Sequence, residues 1–447
     1  MPSSSPMNQD FDWKRHPETA RQVNLTIKEF AVNNSLVAEF QKRLFDETGN
    51  RLVDFLDHLS VTPERVQAFA AAGYEFHESS QTWRNASGIF PIISNCGDSH
   101  SLMTIKVESV EDFCRQNSWF QVSAQQGTPN DNYRWAWMDL GEYRFGVVQR
   151  HGFLFEPQQL RSHNQVESLL DRFRQRPRSS ADPTEDFAAA RSLFTEVAAE
   201  IGQDWACDLF FRAEREYWMS RNRAAQVQYA RQQQLGLGWA NHDHHTYRCS
   251  REHFADLVKS LEHMGFECRE RFYAGRQAGW GAQVLEQPTC GFVVFADVDM
   301  SPEEVSGDFA HAGLSPADSL GTVGLWCKLH GEAFLPAGLH HLECQFDFEA
   351  TRDQLATVGI ETMAPFTDFP HLKQAFTKGE IWPVSSERID ALRSADLIDA
   401  KQAEQFRSHG AIGSHLEILE RNEGFKGFNQ TGISDIISKT DPRLQTT

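Results

Sequence analysis

Between residues 24 and 75 apolar positions recur at spacings of three and four, as in LVAEFQKRLFDE and TPERVQAFAAAGY, which predicts amphipathic helices. From Gly88 to about Pro157 the period changes. HSLMTIKVES alternates like a strand, VEDFCRQNSWF reads as a short helix, and YRWAWMDLGEYRFGVVQRHGFLF reads as two strands about a turn at Gly141. RQRPRSSADPTED (174–186) has the Pro, Ser and charge content of a linker. Helical spacing then returns through DFAAARSLFTEVAAEIG and the long DLFFRAEREYWMSRNRAAQVQYARQQQ, until Gly236 and Gly238 end it.

The remaining sequence carries a diverged internal repeat. DHHTYRCSREHFADLVKSLEHMGFE predicts a strand, an amphipathic helix and a terminating Gly265, and HHLECQFDFEATRDQLATVGIE predicts the same series ending at Gly359. Each copy closes on a strand carrying a glutamate, GAQVLEQP with Glu286 and GSHLEILER with Glu417. The expected fold class is therefore α+β: repeated βαβββ modules forming an open barrel around a site, with an additional helical N-terminal and middle region. The expected divisions are a disordered tail over 1–20, a helical segment plus a degenerate βαβββ-like module over 21–173, a linker and helices over 174–238, and two βαβββ modules over 239–447. GTVGLWCKLHGEAFLPAG (321–338) reads as a strand plus a turn before the second copy.

Composition narrows the partners. The 447 residues, 40% of them hydrophobic and 33 of them Phe, suffice for two or three cores, and the net charge of -19 argues against nucleic-acid or anionic-membrane binding. No run approaches 18 consecutive apolar residues and the N-terminus has no apolar signal core, so a cytoplasmic protein is expected. The eight cysteines are scattered without a CxxC pair, which reads as free thiols. AGRQAGWGAQ is glycine-rich but has neither GxGxxG nor a P-loop lysine.

The densest chemistry is WANHDHHTYRCS, with three histidines and an aspartate over 242–245. Such a cluster is a polar patch, an HxH hydrolase signature or part of a metal site. Strand alternation puts His242, His244, Thr246 and Arg248 on one face and Asp243, His245 and Tyr247 on the other. His341 holds the place of His244 in the second copy, and Glu417 lies on that copy's last strand. Two histidines and a carboxylate on one face make the facial triad of non-haem Fe(II) oxygenases.

A resemblance points the same way. GLHHLECQFDF, LEILERNEGFKGFNQTGISDII and DHHTYR together resemble the vicinal-oxygen-chelate superfamily, in particular 4-hydroxyphenylpyruvate dioxygenase and the 2-oxoadipate dioxygenase/decarboxylase group. The resemblance covers about 240–445. It implies His244, His341 and Glu417 as ligands of Fe(II) or another divalent metal, and an HxxxR pair of His244 with Arg248. Glu417, Arg421, Gly424, Phe425, Gly427 and Asn429 match the last strand and the turn before a closing helix. Glu420 departs, standing where the tyrosine-catabolic enzyme has glutamine. The implied activity is oxidative decarboxylation and hydroxylation of a small 2-oxo acid with O2, in a chain compatible with a homodimer. Extradiol ring cleavage and a metal-dependent isomerase or lyase of the same fold are the alternatives.

Secondary candidates follow. Arg248 is expected to hold a substrate carboxylate or, failing that, a structural ion pair. Glu286 is a fourth ligand in the isomerase alternative. His242, His245 and His340 are neighbours of the ligands, with His245 and His340 facing away. Phe425 and Phe428 line a pocket or belong to the core, and His330 is a weak extra candidate.

Overall fold

The computed structural model describes residues 13–97, 99–152, 166–179, 182–276, 278–317, 319–429 and 440–444. Its strands are β1 (Leu56–Val61), β2 (Glu75–His77), β3 (Thr82–Arg84), β4 (Ile92–Asn95), β5 (Ser101–Lys106), β6 (Ala124–Gln126), β7 (Tyr133–Leu140), β8 (Tyr143–Arg150), β9 (His242–Arg248), β10 (Glu267–Tyr273), β11 (Trp280–Gln287), β12 (Phe292–Asp299), β13 (His341–Gln345), β14 (Thr367–Phe369), β15 (Leu372–Phe376), β16 (Glu380–Trp382) and β17 (Ala411–Arg421). Among the described residues they form two sheets. The first runs β2-β3-β4-β1-β5-β8-β7-β6, and the second runs β10-β11-β12-β9-β13-β17-β15-β14 with β16 beside β17.

Each sheet is two βαβββ modules joined at their first strands. In the first, β1 and β5 meet antiparallel, and each pairs in parallel with the last strand of its own module, β4 or β8. In the second, β9 and β13 meet antiparallel and pair in parallel with β12 and β17. The module helices are Pro63–Ala71, Val110–Gln116, Phe254–His263 and Phe348–Thr357. The N-terminal half thus carries two modules where the sequence pattern suggested one; β1 lies inside the 24–75 stretch read as helical. The helix expected over 110–116 and the strand pair around Gly141 are present.

One face of each sheet is covered by helices. Helices Pro17–Asn33 and Ser35–Thr48 put Val23, Phe30, Phe40 and Leu44 against Leu59, Met103, Ile105 and Val147. Helices Pro183–Ile201 and Gln203–Met219 put Phe187, Phe194, Leu209 and Phe211 against Phe292, Val294, Leu342 and Ile418. Burial of side chains this size stabilises by about 1.5–3 kcal/mol each. The two halves touch where the second helix ends: Gly49 takes φ +72, an added Cβ there would lie 2.2 Å from Thr351 Oγ1, and that hydroxyl donates to Gly49 O at 3.0 Å.

Four local expectations change. Residues 17–20, read as tail, begin the first helix, because Pro17 supplies the fixed φ favoured at its start. The long helix breaks at 220–222, where the Asn222 side chain accepts from Ala225 N and starts Arg223–Gln233 afresh. The linker is pinned at its N-terminal end: Arg176 and Arg178 each donate to Glu214 Oε1 at 2.6 Å, and Arg176 also reaches Phe334 O. The stretch read as a strand plus turn is the helix Thr322–His330. Its N-terminal amides at Val323 and Gly324 donate to Asp299, and Val323, Trp326 and Cys327 pack with Phe295 and Phe376 over part of the second sheet's other face.

Candidate metal centre

The uncovered face of the second sheet carries three successive rows of side chains, set by register. Val293, His244, Glu343, Glu417 and Phe376 are cross-strand neighbours on β12, β9, β13, β17 and β15. The next row is Phe295, Thr246, His341 and His415, and beyond it Asp297 lies opposite Arg248. Since strand residues two apart share a face, His341 and Glu343 look into the same space.

That space is a histidine–glutamate knot. Glu343 Oε1 lies 3.1 Å from His341 Nε2 and in close contact with His244 Nε2, and Glu417 Oε2 lies 3.4 Å from His341 Nε2. The exposures of His244, Glu343 and Glu417 are 2%, 3% and 1%. Burial and then the neighbouring Glu417 push the Glu343 carboxyl well up, and burial pushes Glu417 to about 8 although Glu343 and Gln374 hydrogen-bond to it. Gln374 Nε2 donates to Glu417 Oε1 at 2.9 Å. Two buried carboxyl groups this close cannot both be ionised without a cation between them.

The imidazoles are oriented from behind. Arg421 donates twice to Asp243, at 2.9 and 3.0 Å, and Asp243 Oδ1 lies 2.9 Å from His244 Nδ1. Burial would raise Asp243, but the Arg421 guanidinium outweighs it and holds the carboxyl far below its ordinary range. An ionised Asp243 accepts the Nδ1 proton, which leaves the His244 Nε2 lone pair aimed at the glutamates; burial lowers that ring to about 4. His341 Nδ1 is 2.7 Å from His340 Nδ1, so His341 likewise presents Nε2. His341, Glu343 and Glu417 each offer a ligand atom within 4.8 Å of the others, with His244 joined to them through its contact with Glu343, and this imidazole–carboxylate set fits a divalent cation.

The sequence reading missed Glu343. The signal was available as the i, i+2 spacing of His341 and Glu343 on a strand whose partner residues were already candidates. It also misplaced the neighbours of His244. A β-bulge leaves Asp243 unpaired between His244, opposite Glu343, and His242, opposite Cys344. The extra residue turns Asp243 onto the metal face, and His242 joins His245 on the helix side, ring centroids 5.3 Å apart. His340 is not turned away; it touches His341 and stacks edge-on against Trp326 and His415. Glu286 belongs to β11, not to a closing strand, and pairs with Arg269 and Lys426, each at 3.3 Å. β12 offers Val293, Phe295 and Asp297 to the face instead.

A cavity of about 60 Å³ lies against the knot. Phe272, Trp280, Phe295, Phe366, Phe376 and Phe428 make it mostly apolar, and Thr246, Asp297, Gln374 and Asn429 add polar points. Phe428 lies 5.1 Å from the His244 ring, whereas Phe425 packs on His371 at 4.7 Å, away from the cavity. Asn429 Nδ2 donates to Thr367 at 3.1 Å. The closing helix expected after Asn429 lies outside the described residues. Asp297 is pushed up to about 8 by burial, with Arg248 pulling the other way. Arg248 is 2% exposed, lies over Trp326 at 5.7 Å, donates to Thr440 at 3.4 Å, and has no acceptor at Nε or Nη1 among the described residues. His330 donates Nε2–H to Ile412 O at 3.0 Å and packs on Trp326 and Trp382, outside the knot.

No protein-family model matches the sequence, and no curated protein matches it. Solved structures do. Methylmalonyl-CoA epimerase from Mycobacterium tuberculosis is 11% identical over 40% of this chain and 87% of that one, with a TM-score of 0.24. A mutant of 4-hydroxymandelate synthase from Streptomyces coelicolor is 10% identical over 89% and 98%, TM-score 0.27. YdcJ from Shigella flexneri, which includes domain DUF1338, is 11% identical over 57% and 73%, TM-score 0.24. The paired βαβββ modules are the arrangement expected from the sequence. Among the described residues no helix is long and apolar enough to cross a membrane.

Proposed function

We propose that the chain is a non-haem Fe(II)-dependent dioxygenase that decarboxylates and hydroxylates a small 2-oxo acid. The observation that carries this reading is the convergence of His244, His341, Glu343 and Glu417 on one buried face. His244, His341 and Glu417 would hold the ion, which supplies Lewis acidity and the means to bind and reduce O2. Glu343, whose Oε1 lies 3.1 Å from His341 Nε2, would stand beside them as a hydrogen-bonding neighbour. Arg421 and Asp243 fix the tautomer of His244. The aromatic lining excludes water from the reacting carbon, and Arg248, buried without an acceptor at two of its nitrogens, anchors the substrate's far carboxylate.

A metal-dependent isomerase or lyase is favoured by one feature of the same site. If Glu343 ionises, four side chains instead of three would hold the ion, leaving less room for substrate and O2 together and favouring a reaction without O2. Glu343→Gln, isosteric with the protonated acid, separates the two: the dioxygenase reading expects near-native Fe(II) affinity, the four-ligand reading a loss of tenfold or more. Oxygen-electrode assays of Fe(II)-loaded protein with a panel of 2-oxo acids and catechols test the reaction directly, and turnover without oxygen uptake would sink the dioxygenase.

A further inference from the structure

On the other side of the metal-bearing strand lies a second cavity that the proposed reaction does not use. It measures about 200 Å³ and sits between the ends of β5 and β8, the helix Gln203–Met219 and the start of β9. Its walls are crowded with ionisable groups, and most are matched internally. Asp208 lies 2.7 Å from His151 Nδ1, Arg150 donates twice to Asp57 at 2.8 Å, and Arg212 reaches Glu216 at 3.3 Å. Asp112 is bound by Arg115 and by Gln233.

Two cations remain after that matching. Lys106, the last residue of β5, is half-buried, and its amine has no hydrogen bond or ion pair among the described residues; desolvation pushes it down, with Asp57 and Asp208 pulling the other way and Arg215 adding to the cost of its charge. Arg215 is 5% exposed; its Nη1–H donates to His245 Nε2 at 3.3 Å, it approaches Glu108 Oε1 only to 4.0 Å, and its Nε has no acceptor among the described residues. Cations taken out of water are normally paired or held against an anion. The nearby carboxylates serve other groups first: Asp208 Oδ2 is turned to His151, and Glu108 Oε2 accepts from Tyr229.

We propose that this cavity is a binding site for a small organic anion, whose carboxylate or phosphate group bridges Lys106 and Arg215. Its volume accommodates a ligand of a few heavy atoms beyond the anionic group. The bound molecule would contact His242, which the bulge at Asp243 turns to this side, two residues from His244. The site is independent of the metal reading and stands or falls without it.

Titration calorimetry of the full-length, metal-free protein with succinate and, separately, inorganic phosphate tests this. Saturable binding of one equivalent of either is expected, weakened at least tenfold in Lys106→Met and unchanged in Arg248→Met. Succinate alone assigns a carboxylate ligand and phosphate alone a phosphate ester; both results support the site. Lys106→Met is also expected to melt no lower than wild type in anion-free buffer, because it removes a partly desolvated charge that has no partner among the described residues. Absence of binding by both anions, native affinity in Lys106→Met, or loss in Arg248→Met instead, would overturn the proposal, as would a lower melting point of Lys106→Met without anion.

Discussion

The two sheets are the same construction with different contents. In the second, the row across the central strands reads Val293, His244, Glu343, Glu417; in the first, the equivalent row reads Ile92, His58, Thr104, Gly146. The orienting device is present twice. Arg421–Asp243–His244 in the second sheet is matched by Arg150–Asp57–His58 in the first, each with an aspartate immediately before its histidine and an arginine at the end of a closing strand. What the first sheet lacks is the pair of carboxylates. Trp135 lies against His58 at 5.8 Å, and Gly146 leaves room for that indole. An oriented imidazole thus stands at both module junctions of this chain, and only the second has glutamates beside it.

The largest expected effect breaks that comparison at the glutamates. Glu417→Ala or His341→Ala should abolish retention of stoichiometric metal, measured by elemental analysis after desalting, while His58→Ala and Glu286→Ala keep it. Retention in Glu417→Ala would mean that the ion sits elsewhere.

The shared relay should respond differently in the two halves. Asp243→Asn is expected to weaken metal binding by about 10–100-fold through His244. Asp57→Asn should leave metal affinity alone and cost about 3–5 kcal/mol of stability, because Arg150 is left buried against a neutral partner. Equal effects of both variants on metal affinity would show that the first sheet also serves the site.

Acid should loosen the second sheet first. Burial lowers His330 to about 3 and His415 to about 4, against an unfolded value near 6.5. Between those limits the unfolded chain takes up protons that the folded one refuses, so this stability is complete above pH 6.5 and is lost as pH falls toward 4. Each such histidine contributes a slope of up to about 1.4 kcal/mol per pH unit. Denaturant melts of metal-free protein from pH 7 to 5 should show the loss, and His330→Gln should flatten it by roughly one histidine's share. His330 and His415 both pack beside Trp326 or its neighbours, so near-UV signals of Trp326 and Trp382 should fade before those of the first sheet's tryptophans.

Much of the second sheet was legible because its strands and helices are flanked by turn glycines and its histidines recur in register. Three things were hidden. The bulge at Asp243 carries no glycine or proline, so alternation put His242 on the wrong face. The helix 322–330 is buried all round, which erases the 3.6-residue apolar stripe that reveals surface helices. The first module has outer strands of only three residues, β2 and β3, too short for alternation to register above the helical periodicity around them. Glu343 is legible from its i, i+2 spacing to His341, which puts both side chains on one face of β13.

The smallest expected effect probes what fills the first sheet. A Cβ at Gly146 would lie 2.7 Å from Thr104 Oγ1 and 2.8 Å from Trp135 Nε1, closer than carbon normally approaches either atom. The indole would have to shift off His58 rather than the strand move, since β8 is paired on both sides. Gly146→Ala should then cost about 1–3 kcal/mol in chemical unfolding and alter tryptophan fluorescence, with metal content unchanged. If instead it proves neutral in stability, the first sheet's face is loosely filled, and the contrast between a packed half and a metal-ready half would have to rest on the missing carboxylates alone.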